Sequence, residues 1–459
     1  MNIIKTRWLD INKGDSVVMN LRSRLVGCEF AKEKRDDLFA ATPPLESMRT
    51  IMALCASNQN AVKPEENYII MSNDVSRAYF YAPTTRSIYI EILQEDWEVG
   101  DEMRVAKLNL SLYGTRDAAM NWAKKYTDVM VGCGFERGIA SPCNFYHRGR
   151  KISVTVHGDD YTSTGTERDL KWFEKELERS FEIKTELLGP NTRRHQQEIR
   201  VLNRVLGWTE NGLTFEADQR HAEILINELG VRGCKPVATP GAREDVGKAS
   251  MVCVNGAGAI ENTDDEGLAG LLLTGQEATK FRALAARANY LAQDRIDIQY
   301  AVKEIARRMA TPRQGDMLLL KRLARYLVGA PRAIYTFQWR SQSAYLDVFV
   351  DSDWAGCKGT RRSTSGGIVT WGGHVLKSWA TTQATVALSS AEAELYSLVK
   401  GAGQALGMMA VARDLGMALE ARVHTDASAT LGIVQRQGLC KLRHISTQFL
   451  WIQDKVRNK

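Results

Sequence analysis

Residues 151–166 read KISVTVHGDDYTSTGT. Ile152, Val154 and Val156 alternate with Ser153, Thr155 and His157, the period of a strand with one buried face. Gly158 permits a tight turn, and Tyr161, Thr162 and Ser163 resume β-forming residues. The spacing predicts a hairpin whose tip carries Asp159 and Asp160. Two carboxylates held beside a core repel each other and are penalised by desolvation. Two Mg²⁺ ions would relieve both penalties. The bland alternative is an Asp-rich turn without an ion, since such dipeptides are common at turns.

Upstream, residues 68–83 read YIIMSNDVSRAYFYAP, an apolar run ending in Asp74 and then a predicted helix start carrying Ala78, Tyr79 and Phe80. A strand-end Asp74 could join the hairpin pair. The segments NDVSRAYFYA, LNLSLYGTRDAAMNWAKKY and VHGDDY, in that order, resemble the reverse transcriptase of copia-type LTR retrotransposons. The likeness continues through RVLNRVLGWTENGLTFEADQRHAEILINELG, CKPVATPG, FRALAARANYLAQDRIDIQYAVKEIARRMATP and KRLARYLVGAP, so it spans nearly the whole chain.

That resemblance implies that Asp74, Asp159 and Asp160 hold two Mg²⁺ ions, with Mn²⁺ as a substitute. One ion would activate the primer 3′-hydroxyl and the other would stabilise the leaving pyrophosphate. Tyr79 matches the family's sugar gate, and Gly114 in SLYG would let backbone approach the nucleotide or template. Arg24 and Arg22 are candidate contacts for template or triphosphate, Arg77 lies near the expected phosphate path, and Lys184 could protonate the leaving group. Two departures stand out. His157 and Gly158 replace the usual tyrosine and hydrophobic residue before the aspartates, and Asp117, Ala118, Ala119 and Met120 replace the usual Gln, Ala, Pro, Arg.

A second constellation begins at AYLDVFVDSDWAG, where Leu346, Val348 and Val350 alternate with Asp347, Phe349 and Asp351. SGGIVTWGGHVLKSWAT and ATVALSS read as two more strands before a helix. Ser389 with Glu392 three positions later forms a capping box in sequence form, which leaves Glu394 free to face the sheet. Asp426 in ARVHTDASATLGIV follows another β-prone run and precedes a helix. Strand Asp, helix Glu and strand-end Asp resemble ribonuclease H. The resemblance implies that Asp351, Glu394 and Asp426 hold two further Mg²⁺ ions across the scissile phosphate of an RNA–DNA hybrid, with Asp353 as runner-up ligand. The family's fourth carboxylate segment is not reached before WIQDKVRNK. Asp454 is more simply a surface helix residue, and neither His444 nor Ser446 is given a catalytic role.

Composition fits an ordinary globular chain of two or three domains, with 44% hydrophobic and 25% charged residues among 459. Lys plus Arg at 61 against Asp plus Glu at 54 gives +7, a modest excess suited to a phosphate backbone. Trp97, Trp122, Trp172 and Trp208 could stack on bases, though such tryptophans more often anchor a core. Eight cysteines show no zinc or disulfide spacing, which suits an intracellular protein. No apolar run approaches about 18 residues, so no membrane span is expected. The family's setting is cytoplasmic, in a virus-like particle, or nuclear.

The expected architecture is α/β with an α+β palm, a right-hand polymerase followed by a ribonuclease H-like domain. Residues 1–189 would form shortened fingers and palm. Residues 190–341 would form a helical thumb or connection with a flexible insertion at about 240–275. Residues 342–459 would form the nuclease domain, read as cut short at its C-terminus. Partners would be RNA template, DNA primer, RNA–DNA hybrid and deoxynucleoside triphosphates, with the oligomeric state open. Two alternatives are a polymerase with an inactive nuclease and a non-catalytic nucleic-acid-binding remnant.

Overall fold

The stretch 151–166 folds as an antiparallel hairpin at the centre of a six-stranded sheet. The computed structural model describes residues 3–458 apart from 13–18, 31–37, 61, 102–103, 242–269, 358 and 439–443. Two units are distinguished, Met1–Gln196 with Ala410–Met417, and Gln197–Met409 with Ala418–Lys459.

The first unit opens with a ribbon of β1 (Thr6–Asn12) and β2 (Leu21–Gly27), followed by helix α1 (Leu45–Ala56) and strand β3 (Tyr68–Val75). Ile3–Ile4, Tyr89–Glu91 and Val105–Lys107 form a small three-stranded sheet. Helix α2 (Ala118–Gly132) leads into β4 (Glu136–Arg137), β5 (Asn144–His147), β6 (Ile152–His157), β7 (Asp160–Thr166), α3 (Glu167–Glu178) and β8 (Ile183–Leu188). The main sheet runs β8-β3-β7-β6-β5-β4, antiparallel throughout.

The one-faced alternation expected for β6 is incomplete, because Ser153 and Thr155 are buried together with Ile152, Val154 and Val156. A small hydroxyl residue tolerates this where a backbone carbonyl accepts from it, as the Leu415 carbonyl does from Ser153 Oγ at 2.8 Å, whereas Thr155 Oγ1 is buried without a partner. In the neighbouring strand Ser163 and Thr164 donate to the carbonyls of Met71 and Ile69 at 3.3 and 3.0 Å. Thr166 caps α3 by accepting from the Asp169 amide, a bond type that stabilises a helix by about 1 kcal/mol. The helix expected after Asp74 is only a 3₁₀ turn, Ala78–Tyr81, entered through Arg77 at φ 56°. That left-handed residue breaks the helical path.

The second unit holds β9 (Glu198–Val201), β10 (Arg204–Thr209), β11 (Gly212–Glu216), α4 (Arg220–Glu228), α5 (Gly275–Leu291), α6 (Gln299–Ala306), α7 (Gln314–Gly329) and β12 (Ile334–Gln338). Phe281, Leu284, Ala288 and Leu291 of α5 and Leu320, Leu323 and Leu327 of α7 share one apolar core, as their helical spacing predicts. Most of the insertion expected at about 240–275 lies outside the described residues.

The last sheet contains β13 (Tyr345–Asp353), β14 (Thr364–Trp371), β15 (His374–Thr382) and β16 (Glu420–His424). Its order is β15-β14-β13-β16, with only β13 and β16 parallel. Helices α8 (Ser390–Asp414), α9 (Ser428–Val434) and α10 (Trp451–Asn458) complete the described elements. The first of the two expected strand segments holds both β14 and β15, whereas the second, ATVALSS, forms no strand: 384–389 is irregular and leads into α8. Among the described residues, no helix is long and apolar enough to cross a membrane.

Candidate active sites

In the β7–β3 pairing Asp160 is directly opposite Asp74, and in the β3–β8 pairing Asp74 is directly opposite Lys184. Directly opposed residues share a face of the sheet, so Asp160, Asp74 and Lys184 form one row across three strands. Asp159 sits at the hairpin tip, where its carbonyl accepts the Val75 N–H at 3.0 Å. Gly158 makes the turn at φ 67°, and an added Cβ would meet nothing within 4 Å. The glycine therefore serves its backbone angle rather than a close contact. Burial, followed by the charges of Asp159 and Asp74, pushes the Asp160 carboxyl up to about 6. A cation bound in this row would relieve that repulsion.

The second cluster is tighter. Asp351 at the end of β13, Glu394 in the first turns of α8 and Asp426 just after β16 offer ligand oxygens that all lie within 4.8 Å of one another. It is the only such group of three found among the described residues. Glu394 is buried, and its Oε1 accepts from the backbone N–H and the hydroxyl of Ser352 at 2.9 and 2.6 Å. Its Oε2 is buried without a hydrogen-bond partner. Burial outweighs the Ser352 bonds, and the charges of Asp351 and Asp426 help to raise the Glu394 carboxyl above the ordinary range. An unpartnered buried carboxylate oxygen beside two further carboxylates is a donor set suited to a hard divalent cation.

Glu392 has the separate structural task its spacing predicts. Its amide donates to Ser389 Oγ at 3.3 Å, while its carboxylate accepts from Leu388 N–H at 2.8 Å, Tyr396 OH at 2.6 Å and His444 Nε2 at 3.1 Å. Burial pushes this carboxyl up, but those bonds outweigh it and hold it below the usual range. Asp353 Oδ1 accepts the N–H of Thr364, its partner on the neighbouring strand β14. Asp454 is an exposed residue of α10, 3.9 Å from Arg457.

The family model for reverse transcriptase (RNA-dependent DNA polymerase) matches residues 1–205. The Retrovirus-related Pol polyprotein from transposon TNT 1-94 of Nicotiana tabacum is 25% identical over 99% of this chain and 33% of its own length. That from transposon RE1 of Arabidopsis thaliana is 24% identical over 100% of this chain and 29% of its own length. An uncharacterized mitochondrial protein of Arabidopsis thaliana is 32% identical over 192 residues, 41% of this chain and 70% of that protein. The chain belongs to the copia-type reverse transcriptase family.

The chain spans about a third of the length of the Pol polyproteins it matches. The fold is shared with a foamy viral protease-reverse transcriptase solved with double-stranded DNA, at a TM-score of 0.51 and 10% identity over 99% of this chain and 64% of that one.

Within this reverse transcriptase fold, Tyr79 is half-buried with its ring centroid 4.5 Å from that of Tyr113, and the Arg24 guanidinium lies 5.2 Å from the same Tyr113 ring. Burial and the charge of Asp159 raise both tyrosines, which places the pair beside the aspartate row. Arg7, Arg22 and Arg24 share one face of the β1–β2 ribbon with Leu9, Ile11 and Val26. Lys184 pairs with Glu186 at 3.2 Å, and Arg77 pairs with Glu182 at 2.7 Å.

Gly114, at φ 86°, makes its close approach to protein backbone, since a Cβ there would stand 2.0 Å from the Gly27 carbonyl oxygen. Asp117, one of the departures from the family pattern, is buried and bound to Arg86 at 2.9 Å, and Arg86 also grips Glu29 through both its terminal nitrogens. Burial raises the Asp117 carboxyl, but the Arg86 bond and charge outweigh it and leave it lowered.

Sequence reasoning did not single out Tyr113, Arg86 or the role of Trp122, whose indole N–H donates to the Gly158 carbonyl. The signal available for Trp122 was its place in the apolar stripe of α2. Of the other tryptophans, Trp97 is exposed, Trp172 lies 4.0 Å from the Arg150 guanidinium, and Trp208 packs on Trp339 at 4.7 Å.

Proposed function

We propose that this chain is the polymerase and nuclease segment of a copia-type Pol polyprotein, with RNA-directed DNA synthesis at Asp74, Asp159 and Asp160 and RNA–DNA hybrid cleavage at Asp351, Glu394 and Asp426. The observation that carries the polymerase reading is the register that sets Asp160 opposite Asp74 at the hairpin tip. The compact Asp351–Glu394–Asp426 cluster favours a retained nuclease over a polymerase alone.

Two Mg²⁺ ions at each cluster would supply Lewis-acid stabilisation of the attacking and leaving oxygens. The chain's own residues do the positioning. Asp74, Asp159 and Asp160 would hold the polymerase pair, and the rigid hairpin fixes their separation. Tyr79, packed on Tyr113, would present its ring to the sugar of the incoming deoxynucleoside triphosphate. The arginine face of the ribbon suits template or triphosphate contact, and Lys184 is the cation in the aspartate row that could protonate the departing pyrophosphate. Primed RNA template and hybrid are the nucleic-acid partners of this reading.

The test is primer extension on poly(rA)·oligo(dT) with Mg²⁺, run beside the Asp159→Asn, Asp160→Asn double variant. Extension that the variant loses supports the reading. A wild-type protein that binds primed template but extends nothing, in any divalent metal, would instead support a non-catalytic binding remnant.

A further inference from the structure

Three large apolar side chains stand in solvent beside the Asp351–Glu394–Asp426 cluster. Trp354 is 54% exposed, Val386 45% and Leu388 67%. Trp354 follows the last residue of β13 and lies two residues, at most about 7 Å of chain, from Ser352, whose N–H and hydroxyl bond Glu394 Oε1. The Trp354 indole N–H donates to the Ala387 carbonyl at 3.1 Å, and Val386 and Leu388 flank that residue. The Leu388 N–H in turn donates to the Glu392 carboxylate at 2.8 Å, two residues from Glu394. The three side chains are thereby gathered into a ridge next to the two elements that supply Asp351 and Glu394.

The loop that carries Trp354 is held in place. Ala355 is buried at φ 53° and donates its N–H to Ser363 Oγ at 2.9 Å. A left-handed alanine is a strained backbone, kept only where its surroundings over-determine it. The ridge therefore presents apolar surface to solvent from a fixed support, which marks a contact surface.

Charge selects what covers it. The return arm of the same loop carries Arg361 and Arg362, both exposed and neither ion-paired with a described residue. This arm closes on the other through the Arg361 N–H to the Cys357 carbonyl at 2.7 Å and the Cys357 N–H to the Arg362 carbonyl at 3.2 Å. Two uncompensated cations beside an apolar ridge suit a nucleic-acid strand, which offers phosphates and sugar edges side by side. A duplex keeps its bases stacked inside, and the wide, shallow minor groove of an A-like helix leaves its sugars open. The only polar atom of the Trp354 side chain is already bonded to Ala387, so the ring can pack on sugars and reads no base.

We propose that Trp354, Val386 and Leu388 pack against the sugar edge of an RNA–DNA hybrid next to the phosphate whose cleavage is assigned to Asp351, Glu394 and Asp426, with Arg361 and Arg362 taking the flanking phosphates. The inference rests on that nuclease reading and adds positioning residues to it. The ridge sets where the strand lies and leaves the reacting atoms to the carboxylates.

The experiment measures KM and kcat for cleavage of an RNA–DNA hybrid by the full chain in Mg²⁺. Leu388→Glu removes no hydrogen bond made in the structure and sets a carboxylate against the strand's phosphates, so KM should rise severalfold. Leu388→Lys should leave KM at or below the wild-type value, with kcat near wild type in both. Leu406→Glu changes net charge equally at a half-exposed position of α8, twelve residues and about 18 Å beyond Glu394, and should leave KM unchanged. Trp354→Ala should raise KM by about 5-fold or more, the low end of what losing an aromatic contact to a nucleic acid costs.

If Trp354→Ala fails to fold, the Leu388 pair decides alone. Wild-type KM in both Leu388 variants would overturn the proposal, leave the nuclease reading intact and point to a protein as the ridge's partner. A rise in KM for Leu406→Glu equal to that for Leu388→Glu would reduce the effect to net charge and overturn it as well. A fall in kcat at unchanged KM in Trp354→Ala would make the bond to Ala387 a strut for α8 and remove the ring from the strand contact. A wild-type chain that cleaves no hybrid overturns the nuclease reading and the ridge's role with it.

Discussion

Trp122 donates its indole N–H to the carbonyl of Gly158 at 2.7 Å, so helix α2 holds the tip of the hairpin that carries Asp159 and Asp160. The indole is itself fixed by Tyr126 and Phe181, at 5.6 and 5.1 Å between ring centroids. Trp122→Phe keeps an aromatic ring and removes the donor. Because Gly158 is exposed, water can replace the lost bond, but Trp122 is fully buried, so the smaller ring also leaves a cavity and the stability cost should be about 2–3 kcal/mol. The carboxylates would lose their fixed position, and misplacement on the ångström scale can cost about 10²-fold in rate. Single-nucleotide incorporation, measured well below the variant's lowered Tm, should slow by about 10-fold or more, and an unaltered incorporation rate would remove Trp122 from the site.

Asp160 is an aspartate of the proposed polymerase site whose environment resists ionisation. Its folded-state value of about 6 lies above the ordinary 3.8, so between those values the folded protein binds a proton that the unfolded chain has released. Stability at this site is full below about pH 4 and is lost as pH rises through about 6. Asp160→Asn removes the charge at every pH. In metal-free buffer the variant should melt a few degrees above wild type at pH 8 and level with it at pH 4, while Mg²⁺-dependent extension disappears. Thermal unfolding at the two pH values decides it, and a variant less stable than wild type at pH 8 sinks the idea.

The hairpin and both carboxylate clusters were legible because period-2 alternation ending in a glycine turn leaves few alternatives for where Asp159 and Asp160 go. The capping pattern Ser389–Glu392 also set a structural glutamate apart from Glu394, the one proposed to hold metal, because only one of two residues at that spacing can reach back over the helix end. What the residues did not show was contact between distant segments. Arg86, Glu29 and Asp117 lie far apart in sequence and carry no local pattern, so the compensation for Asp117 becomes visible only when they meet. The 3₁₀ turn at Ala78–Tyr81 was missed for the opposite reason, since the local composition favoured a helix and a single left-handed Arg77 overrode it.

Glu392 and Glu394 are two residues apart on α8 and should respond oppositely to the same change. Glu394→Gln removes a charge from a cluster where burial and two neighbouring carboxylates oppose it, so the fold should hold and hybrid cleavage should fall by at least about 10²-fold. Glu392→Gln weakens three bonds to a charged acceptor, each worth about 1.5–3 kcal/mol when lost in a buried setting. It should lower stability by about 2 kcal/mol and loosen Tyr396 and His444. Polymerase rates should be unchanged in Glu394→Gln. Paired melting curves and hybrid-cleavage assays make the comparison, and a Glu394→Gln protein that still cleaves at the wild-type rate would falsify the assignment of the nuclease site.

Gly114 tests how the SLYG turn is held. The Gly27 N–H donates to the Tyr113 carbonyl at 2.7 Å and the Glu29 N–H to the Gly114 carbonyl at 3.4 Å, so strand β2 and the turn lie backbone against backbone. A Cβ at Gly114 would stand 2.0 Å from the Gly27 carbonyl oxygen, and φ is 86°. Alanine is therefore opposed twice, by the left-handed backbone at about 1–2 kcal/mol and by a contact that only backbone movement can relieve. Gly114→Ala should cost about 3 kcal/mol or more and displace Tyr113 from its place between Arg24 and Tyr79. Gly158→Ala is the informative control. It shares the positive φ but meets no neighbour, so its cost should stop at about 1–2 kcal/mol. Denaturant melts of the two variants should differ by that margin, and equal losses would show that the close approach to Gly27 contributes nothing beyond the backbone angle.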